Sequence, residues 1–570
     1  MDDKKPSRPN STSSKYSTER VAVETYDEFV EPIEVVASRT SHANQAGLSK
    51  QITGVSLGTT YTQEPHFEVD FDDDDPGNPK NWPVWRICLS IFIITFSTLT
   101  VVLYSTSYTA GIPGMMKEFH VSQTISVLGL TFYLLGLACG AVVLAPLSEM
   151  YGRRPVYLAS MAVFTALILP CALAHNMEGI IITRFFGAFA GSVMVSNSPG
   201  TIADLVPEEY RALAFSMFAI GPLNAPSFGP LIGGFVYENL GWRWTDWVVL
   251  ILAGISLIAV CCLPETYAPT LLRKRAAKKR KETGDSRWWS RYDDRKSIGQ
   301  LLKINLSRPF IMAVTEPICI FWNLYVSVIY SILYLCFVAY PIVFGQLRHW
   351  NPGFVGLSYL GIAVGSFLTI ALEPLFRRLI NSHKPENGRI PPEAMVAVVC
   401  IAAVCAPVGE MIFAWTCTPN VHWIAPIIAG VPFGAGNTAV FIYASNYLAR
   451  SYGIYAASAL AGNTVLRSIL GGVLPLAGPA MYSKLGPNIA GTLLSALEFA
   501  LIPIPFVFYK YGGRIRKSSA LISQMQADQD KLDGRRKATE AREARRIARE
   551  RVDDEEQSVV IEPKGEKLEV

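Results

Sequence analysis

Long apolar stretches joined by short polar segments run from about residue 84 to residue 511. Six of them fall at about 84–110, 122–147, 156–175, 179–203, 213–237 and 244–264, and six more at about 310–343, 353–376, 393–416, 422–448, 455–482 and 490–511. A helix needs about 20 apolar residues to cross a hydrocarbon core of about 30 Å. The pattern therefore predicts an all-α polytopic membrane protein with twelve transmembrane helices. Residues 1–80 are polar, rich in Ser and Thr, and acidic from Asp70 to Asp75; they lack the layout of a cleaved signal peptide and read as a disordered cytosolic tail. Residues 81–264 form a first six-helix bundle and 265–308 a strongly basic cytosolic loop (Arg273, Lys274, Arg275, Lys278, Lys279, Arg280, Lys281). A second bundle spans 309–511, followed by a cytosolic tail, 512–570, with a solvated helix predicted at about 525–552.

Composition agrees with the pattern. Half of the 570 residues are apolar and only 17% are charged, with a mean hydropathy of +0.27. That excludes a soluble enzyme and a nucleic-acid binder. The net charge of +4 says little, because the side of the bilayer on which each charge lies matters more. All ten cysteines fall in or at the ends of apolar stretches, as small core residues and not as a disulfide framework. Lys and Arg resist translocation. Arg153, Arg154, Arg211, the basic loop, Arg377, Arg378, Lys384, Arg389 and Arg450 share one side, against Lys117, Arg243, Arg348 and Lys484 on the other. Both termini are thus expected in the cytosol, where the sequons at Asn10 and Asn305 would go unused.

The halves resemble one another. Pro230, Gly233, Tyr237, Leu240 and Gly241 match Pro475, Gly478, Tyr482, Leu485 and Gly486 at a single offset of 245 residues, in the fifth stretch of one half and the fifth of the other. A duplicated six-helix unit, with two pseudo-symmetric bundles about an axis along the membrane normal and a site between them, is a transporter architecture.

Several residues stand out chemically. The joint Ala145-Pro-Leu-Ser-Glu149-Met-Tyr-Gly152-Arg153-Arg154-Pro155 combines a turn glycine with an acid and paired arginines suited to a cytosolic latch. Arg184 lies inside the fourth span, where an unpaired cation is costly, so it must face the bundle interior and find a partner. The fifth span carries Gly221-Pro222, Pro226 and Gly229-Pro230-Leu-Ile-Gly233-Gly234, a notched face for close helix approach. Glu316, Glu410, Glu498 and Arg467 also fall within apolar stretches. Glu316, before Pro317, is the first choice for a proton- or substrate-binding carboxylate, and Glu410 reads as interfacial, near the outer end of its span. Tyr104, Asn224, Asn323, Tyr325, Asn437, Asn463 and Arg467 near span centres are candidates for a substrate cavity. Any one of these asparagines and tyrosines can equally serve as helix glue.

The loop string resembles the signature between the second and third spans of the major facilitator superfamily, with Ala145 in place of its usual glycine and Glu149 in place of aspartate. The string Arg184-Phe-Phe-Gly187 is similar to that family's fourth-span motif, and Gly229-Pro230-Leu-Ile-Gly233-Gly234 to the antiporter motif of drug exporters, with Ala225 where glycine is common. Asn78-Pro-Lys-Asn-Trp82-Pro83, Pro264-Glu265-Thr266-Tyr267-Ala268-Pro269 and the eleventh-span string from Tyr455 to Arg467 look like the fungal twelve-span drug:proton antiporter group, over about residues 76–512. The resemblance implies the superfamily's fold, a proton-coupling role for Arg184, and a place for Asp204 in the latch with Glu149, Gly152, Arg153 and Arg154. One departure is Tyr447-Leu-Ala-Arg450, where related exporters often carry an aspartate; this weakens the case for a polyamine substrate.

The expectation is a proton-coupled exporter of amphipathic organic compounds, such as drugs, fungicides or a secondary metabolite, in the plasma membrane, with the vacuolar membrane left open. An uptake symporter for a small nutrient, a polyamine exporter and a transporter-shaped sensor stay open as alternatives. The chain carries no nucleotide-binding lysine motif, metal-binding histidine pair or nucleophile elbow, so no enzymatic activity, cofactor or metal is expected. The expected partners are the bilayer, a small-molecule substrate and protons, with no nucleic acid, and the monomer is the expected working unit.

Overall fold

A computed structural model of the chain describes residues 67–71, 75–290, 292–293, 298–383, 390–519 and 521–523. The tail before residue 67 with its sequon at Asn10, Lys384, Arg389, the side chains of Arg211 and Asn305, and the helix expected at about 525–552 lie outside the described residues. In the first half the helices are α1 (Val84–Ala110), the short α2 (Ile112–Phe119), α3 (Gln123–Tyr151), α4 (Arg153–Ala172), α5 (Met177–Leu205), α6 (Glu208–Leu240) and α7 (Arg243–Cys261). The connecting segment contains α8 (Ala268–Thr283) and leads to α9 (Ile298–Thr315). The second half contains α10 (Pro317–Tyr340), α11 (Pro352–Leu357), α12 (Leu360–Ala371), α13 (Glu373–Asn381), α14 (Glu393–Thr416), α15 (Ile424–Tyr452), α16 (Ala456–Leu501) and α17 (Pro503–Ser518). Among the described residues, those from Phe67 to Lys510 form one compact unit.

Local chemistry sets the helix ends. Ser122 and Asn176 accept backbone N–H groups at the starts of α3 and α5, meeting donors that a first turn leaves unpaired. Among the described residues, ten helices are long and apolar enough to cross a membrane. One of them is the continuous run Ala456–Ser518, which turns at Gly486 and so holds two of the expected spans, and α6 supplies the remaining one. The duplication appears in the backbone: the matched glycines Gly241 and Gly486 both have positive φ, +88° and +75°, which lets the chain reverse after the fifth span of each half. Equivalent helices pair in the two halves. Spans one and five (α1 with α6) pack as do seven and eleven (α10 with α16), spans two and four (α3 with α5) as do eight and ten (α12 with α15), and three and six (α4 with α7) as do nine and twelve (α14 with the end of α16).

Two expectations are corrected. The stretch 310–343 is not one span: it breaks at Glu316, whose backbone is extended (φ −93°, ψ 116°) because Pro317 disfavours the helical conformation in the residue before it. Glu316 therefore stands at the start of α10, as its N-cap. The tail expected to be disordered to residue 80 is ordered over Phe67–Phe71 and from Asp75 onward, and the central loop folds onto it. Leu272 and Ala276, one turn apart on α8, bury Val69, while Val69 N–H donates to the Trp289 carbonyl (2.9 Å) and Trp289 N–H to that of Phe67 (3.0 Å). Asp75 forms an ion pair with Arg275, whose guanidinium holds the Asp75 carboxyl below its usual range.

Candidate functional site

The turn between α3 and α4 is built around two carboxylates. Arg153 is buried; its Nε lies 3.2 Å from Asp204 at the end of α5, and its Nη1 donates to Ser148 Oγ at 2.6 Å. Glu265 Oε1 accepts N–H bonds from Arg153 (2.9 Å), Thr266 (3.1 Å) and Tyr267 (3.0 Å), and Oε2 accepts one from Arg154 (3.3 Å). This carboxylate thus sits on the N-terminus of α4, where the helix dipole favours negative charge. Gly152 adopts φ +102°, and a Cβ there would strike the Glu265 carboxylate, so glycine is required on both counts. The latch chosen from sequence is assembled as Arg153 with Asp204. Glu149 lies on the exposed side of the turn, and Glu265, noted only as part of a family string, completes it. The signal that points to Glu265 is an acid directly after an apolar span, opposite a helix start.

Arg184 is fully buried. Its Nε donates to the Gly129 carbonyl (2.9 Å) and its Nη2 to those of Tyr104 (3.0 Å) and Ser105 (3.3 Å). The rings of Tyr108, Tyr104 and Tyr133 surround the guanidinium at 4.1, 4.5 and 4.9 Å, a cation–π box that offsets its desolvation. Tyr104 Oη donates to Asp246 Oδ1 at 3.0 Å, so α1, α3, α5 and α7 meet in one buried polar cluster. Asp246 was not singled out from the sequence. It lies in the first turn of α7, next to Arg243, where an acid reads as interfacial; yet it is only 3% exposed.

The glycine face of α6 joins two contacts. Gly229 and Gly233 meet the backbone of α1, where an added Cβ at Gly229 would come within 2.7 Å of Ser107 N and one at Gly233 within 2.7 Å of Ser107 O. Gly234 meets Pro352 of the other half, and Gly356 packs on the Pro230 carbonyl. Gly221 lies against Thr95 of α1, and Pro222 sits within the helix. An apolar cluster seals the halves around this contact, with Tyr108, Leu130, Leu134 and Trp242 from the first and Tyr334, Phe337, Tyr340 and Tyr359 from the second. Thr131 Oγ1 donates to the Gly472 carbonyl (2.7 Å) and Glu238 Oε2 accepts from Gly353 N–H (2.9 Å) across the same boundary. Beside the seal is a cavity of about 330 Å³, lined by apolar groups with Thr109, Gln123 and Gln346; of the residues chosen from sequence it includes Pro230.

None of the seven proposed cavity residues lines this cavity. Asn463 Nδ2 donates to Asn323 Oδ1 (3.0 Å) with both side chains buried, so they tie α16 to α10. Asn224 and Asn437 donate to carbonyls one turn earlier in their own helices, and Tyr104 serves the Arg184 cluster. Tyr325 is fully buried in the second half. Axial position near a span centre does not by itself set which way a side chain points. Arg467 is half-buried, with its guanidinium 4.5 Å from the Phe441 ring and 5.4 Å from that of Tyr330. Tyr330 stacks on Tyr334, whose hydroxyl lies 3.2 Å from Ser105 Oγ of the first half. Glu316 accepts from Tyr452 Oη at 3.3 Å, at the mouth of α10.

Two pseudo-symmetric helical bundles, buried charge between helices and a mixed apolar–polar cavity at their boundary define a polytopic membrane carrier. A family model for the Major Facilitator Superfamily matches residues 92–475, and the chain belongs to that family. It is 39% identical to the Major facilitator superfamily multidrug transporter mdrA of Aspergillus fumigatus, over 86% of this chain and 81% of that one. It is 41% identical to the citrinin biosynthesis cluster MFS transporter mrr1 of Monascus ruber, over 78% of this chain and 90% of that one. Among solved structures, the proton:xylose symporter XylE shares the fold, with a TM-score of 0.54 at 13% identity over 75% of this chain and 96% of its own.

Proposed function

We propose that this chain exports amphipathic organic compounds across the plasma membrane by alternating access, exchanging them for protons, with both termini in the cytosol. The observation that carries this reading is the glycine–proline face of α6, which packs at once on α1 of its own bundle and on α11 of the other. A tight seal at the boundary between the halves suits a carrier that must not leak protons while its other end is open. Relatives named as a multidrug transporter, a citrinin-cluster transporter and the efflux pump MFS2 of Trichophyton rubrum support the direction of transport. Arg184, Asp204 and Glu316 are read as coupling and latch groups, and Arg467 with Tyr330 and Phe441 as a substrate-facing patch for an aromatic or anionic group. The proton gradient supplies the energy, so no cofactor and no catalytic step is invoked; the partners are lipid, substrate and protons, and the monomer is the working unit.

The test is expression in a yeast strain stripped of its own drug pumps, with rhodamine 6G and azole fungicides as probes. Export predicts lower rhodamine 6G accumulation and higher azole tolerance, both abolished by a protonophore. Raised accumulation of the same probes in the expressing strain would overturn the reading.

A further inference from the structure

Two buried acids in the second half have no role in the site above. Glu410 is 2% exposed and Glu498 1%. Oε1 of Glu410 and both carboxylate oxygens of Glu498 have no hydrogen-bond partner among the described residues. An isolated ionised carboxylate in an apolar interior is so costly that it takes up a proton instead.

Their placement is specific. Ser495 Oγ donates to the Pro407 carbonyl at 2.8 Å and sets the register of α14 against the end of α16. Glu410 is one turn beyond Pro407 and Glu498 one turn beyond Ser495; because the helices run antiparallel, the two carboxylates flank this contact on opposite sides, about 9 Å apart along the axis. An added Cβ at Gly491 would lie 2.7 Å from Ala414 Cβ and 3.7 Å from Glu410 Oε1, and one at Gly409 2.5 Å from Phe433 N. Packing this close leaves no room for an organic cation but does not exclude a proton. Glu410 lies six residues before the end of α14, about 9 Å along the axis from that end. The antiparallel register places Glu498 deeper.

The other titratable groups near the pair are thiols and phenols, whose ordinary pKa values lie above neutrality. Cys336 and Tyr340 of α10, Tyr482 of α16 and Cys417 just past α14 face Glu410, and Tyr325 and Cys336 of α10 face Glu498. One cation stands at the outer end of this contact: Arg348 donates to the carbonyls of Thr416 (3.1 Å), Cys417 (3.4 Å) and Thr418 (2.6 Å), at and just past the end of α14. The remaining charged groups of the packed helices are engaged elsewhere. Arg467 stacks on Phe441 and Tyr330, Arg377 pairs with Glu373, and Arg308 lies over Tyr455. Glu393 and Arg450 stand in terminal turns of α14 and α15.

We infer that Glu410 and Glu498 form a proton-carrying site between spans nine and twelve, entered from the end near Cys417 and discharged when the halves rearrange. Each step converts one carboxylate to a carboxylic acid by gain of one proton, with no other bond changed, and the reverse step releases that proton to the cytosol. The inference rests on the export reading for its direction, but the binding of protons does not.

The test uses the full-length protein reconstituted in liposomes. Infrared difference spectra between acid and alkaline pH read the carbonyl stretch of protonated carboxyl groups without any transport substrate. The wild-type chain is expected to show this band, Glu498→Gln to lose part of it, and the double variant Glu410→Gln/Glu498→Gln to lose most of it. In the same vesicles rhodamine 6G movement driven by a pH gradient should be lost in Glu498→Gln, while counterflow of rhodamine 6G at equal pH persists; persistence shows a folded carrier. Glu498→Asp should restore gradient-driven movement in part. An unchanged carboxyl band in the double variant overturns the assignment, as does full gradient-driven movement in it. If the wild-type protein moves no rhodamine 6G, the export reading fails, and the infrared band still supports or overturns the carboxylate pair.

Discussion

Replacing Glu265 removes the acceptor for four backbone N–H groups, those of Arg153, Arg154, Thr266 and Tyr267. The residue is 9% exposed, so water compensates only in part. A hydrogen bond to a charged group is worth about 1.5–3 kcal/mol net, and loss of a helix cap costs about 0.5–2 kcal/mol. These contributions overlap on the same donors and are not summed. Glu265→Ala is therefore expected to weaken the turn by about 2–3 kcal/mol, which corresponds to a roughly 30- to 140-fold rise in local opening. Glu265→Gln keeps one oxygen acceptor but turns an amide NH₂ toward a backbone N–H, with an intermediate effect of about 1 kcal/mol. Hydrogen exchange followed by mass spectrometry on the protein in nanodiscs reads this directly at peptides covering 150–156. Protection should fall in the order wild type, Gln, Ala, while peptides from α14 stay unchanged. Equal protection in all three would refute the view that this carboxylate holds the start of α4.

The Asp75 carboxyl is held below 3.8 by Arg275, so its contribution is complete above that value and is lost as pH falls through the lower folded-state value. Spin labels at positions 70 and 285 should therefore keep one distance at pH 7 and 5 and separate only in stronger acid; separation already at pH 6 would contradict the assignment. Gly229→Ala and Gly233→Ala force a methyl group into the α1 backbone and should each cost about 1–3 kcal/mol, whereas Gly254→Ala, which meets nothing within 4 Å, should gain about 0.5–1 kcal/mol. Thermal midpoints in detergent distinguish the three. Asn323→Ala should cost about 0.6 kcal/mol, the usual worth of such an interhelical bond in a membrane, and leave the substrate profile intact. A changed profile would return Asn323 and Asn463 to the cavity wall.

The spans were legible because burial in lipid demands uninterrupted apolar length, and the reading erred where a local rule overrode it. Pro317 ended a run that hydrophobicity alone extended through Glu316. Leu272 and Ala276, two apolar positions one turn apart in a basic segment, were enough to fold α8 onto Val69, a signal that net charge concealed. Within the site, residues whose role follows from backbone geometry were readable: Gly152 at its turn, and Gly229 and Gly233 on their packing face. The partners of Arg184 were not, because three backbone carbonyls and three tyrosine faces leave no charge complement in the sequence.

Glu410 shows what was missing. Depth along a span follows from residue count, but environment follows from rotation about the helix axis, and Glu410 was placed by depth alone. The rotation is encoded in side-chain size. On α14 Ile401, Val404, Val408, Ile412 and Trp415 are exposed, while Ala403, Ala406, Gly409, Glu410 and Ala414 are buried together with the larger Val398, Val399 and Phe413. At the end of α16 Leu493 and Leu497 are outside, and Ala490, Gly491, Ser495 and Glu498 are inside with Leu494. Between membrane helices close approach, not hydrophobicity, drives association, so the small-residue stripe is the buried one. An acid on that stripe is committed to the protein interior however near it lies to the end of its span. By the same rule an acid on the large-residue stripe would have to lie near a span end, within reach of water. By that rule both Glu410 and Glu498, flanked by small buried residues, belong to the interior.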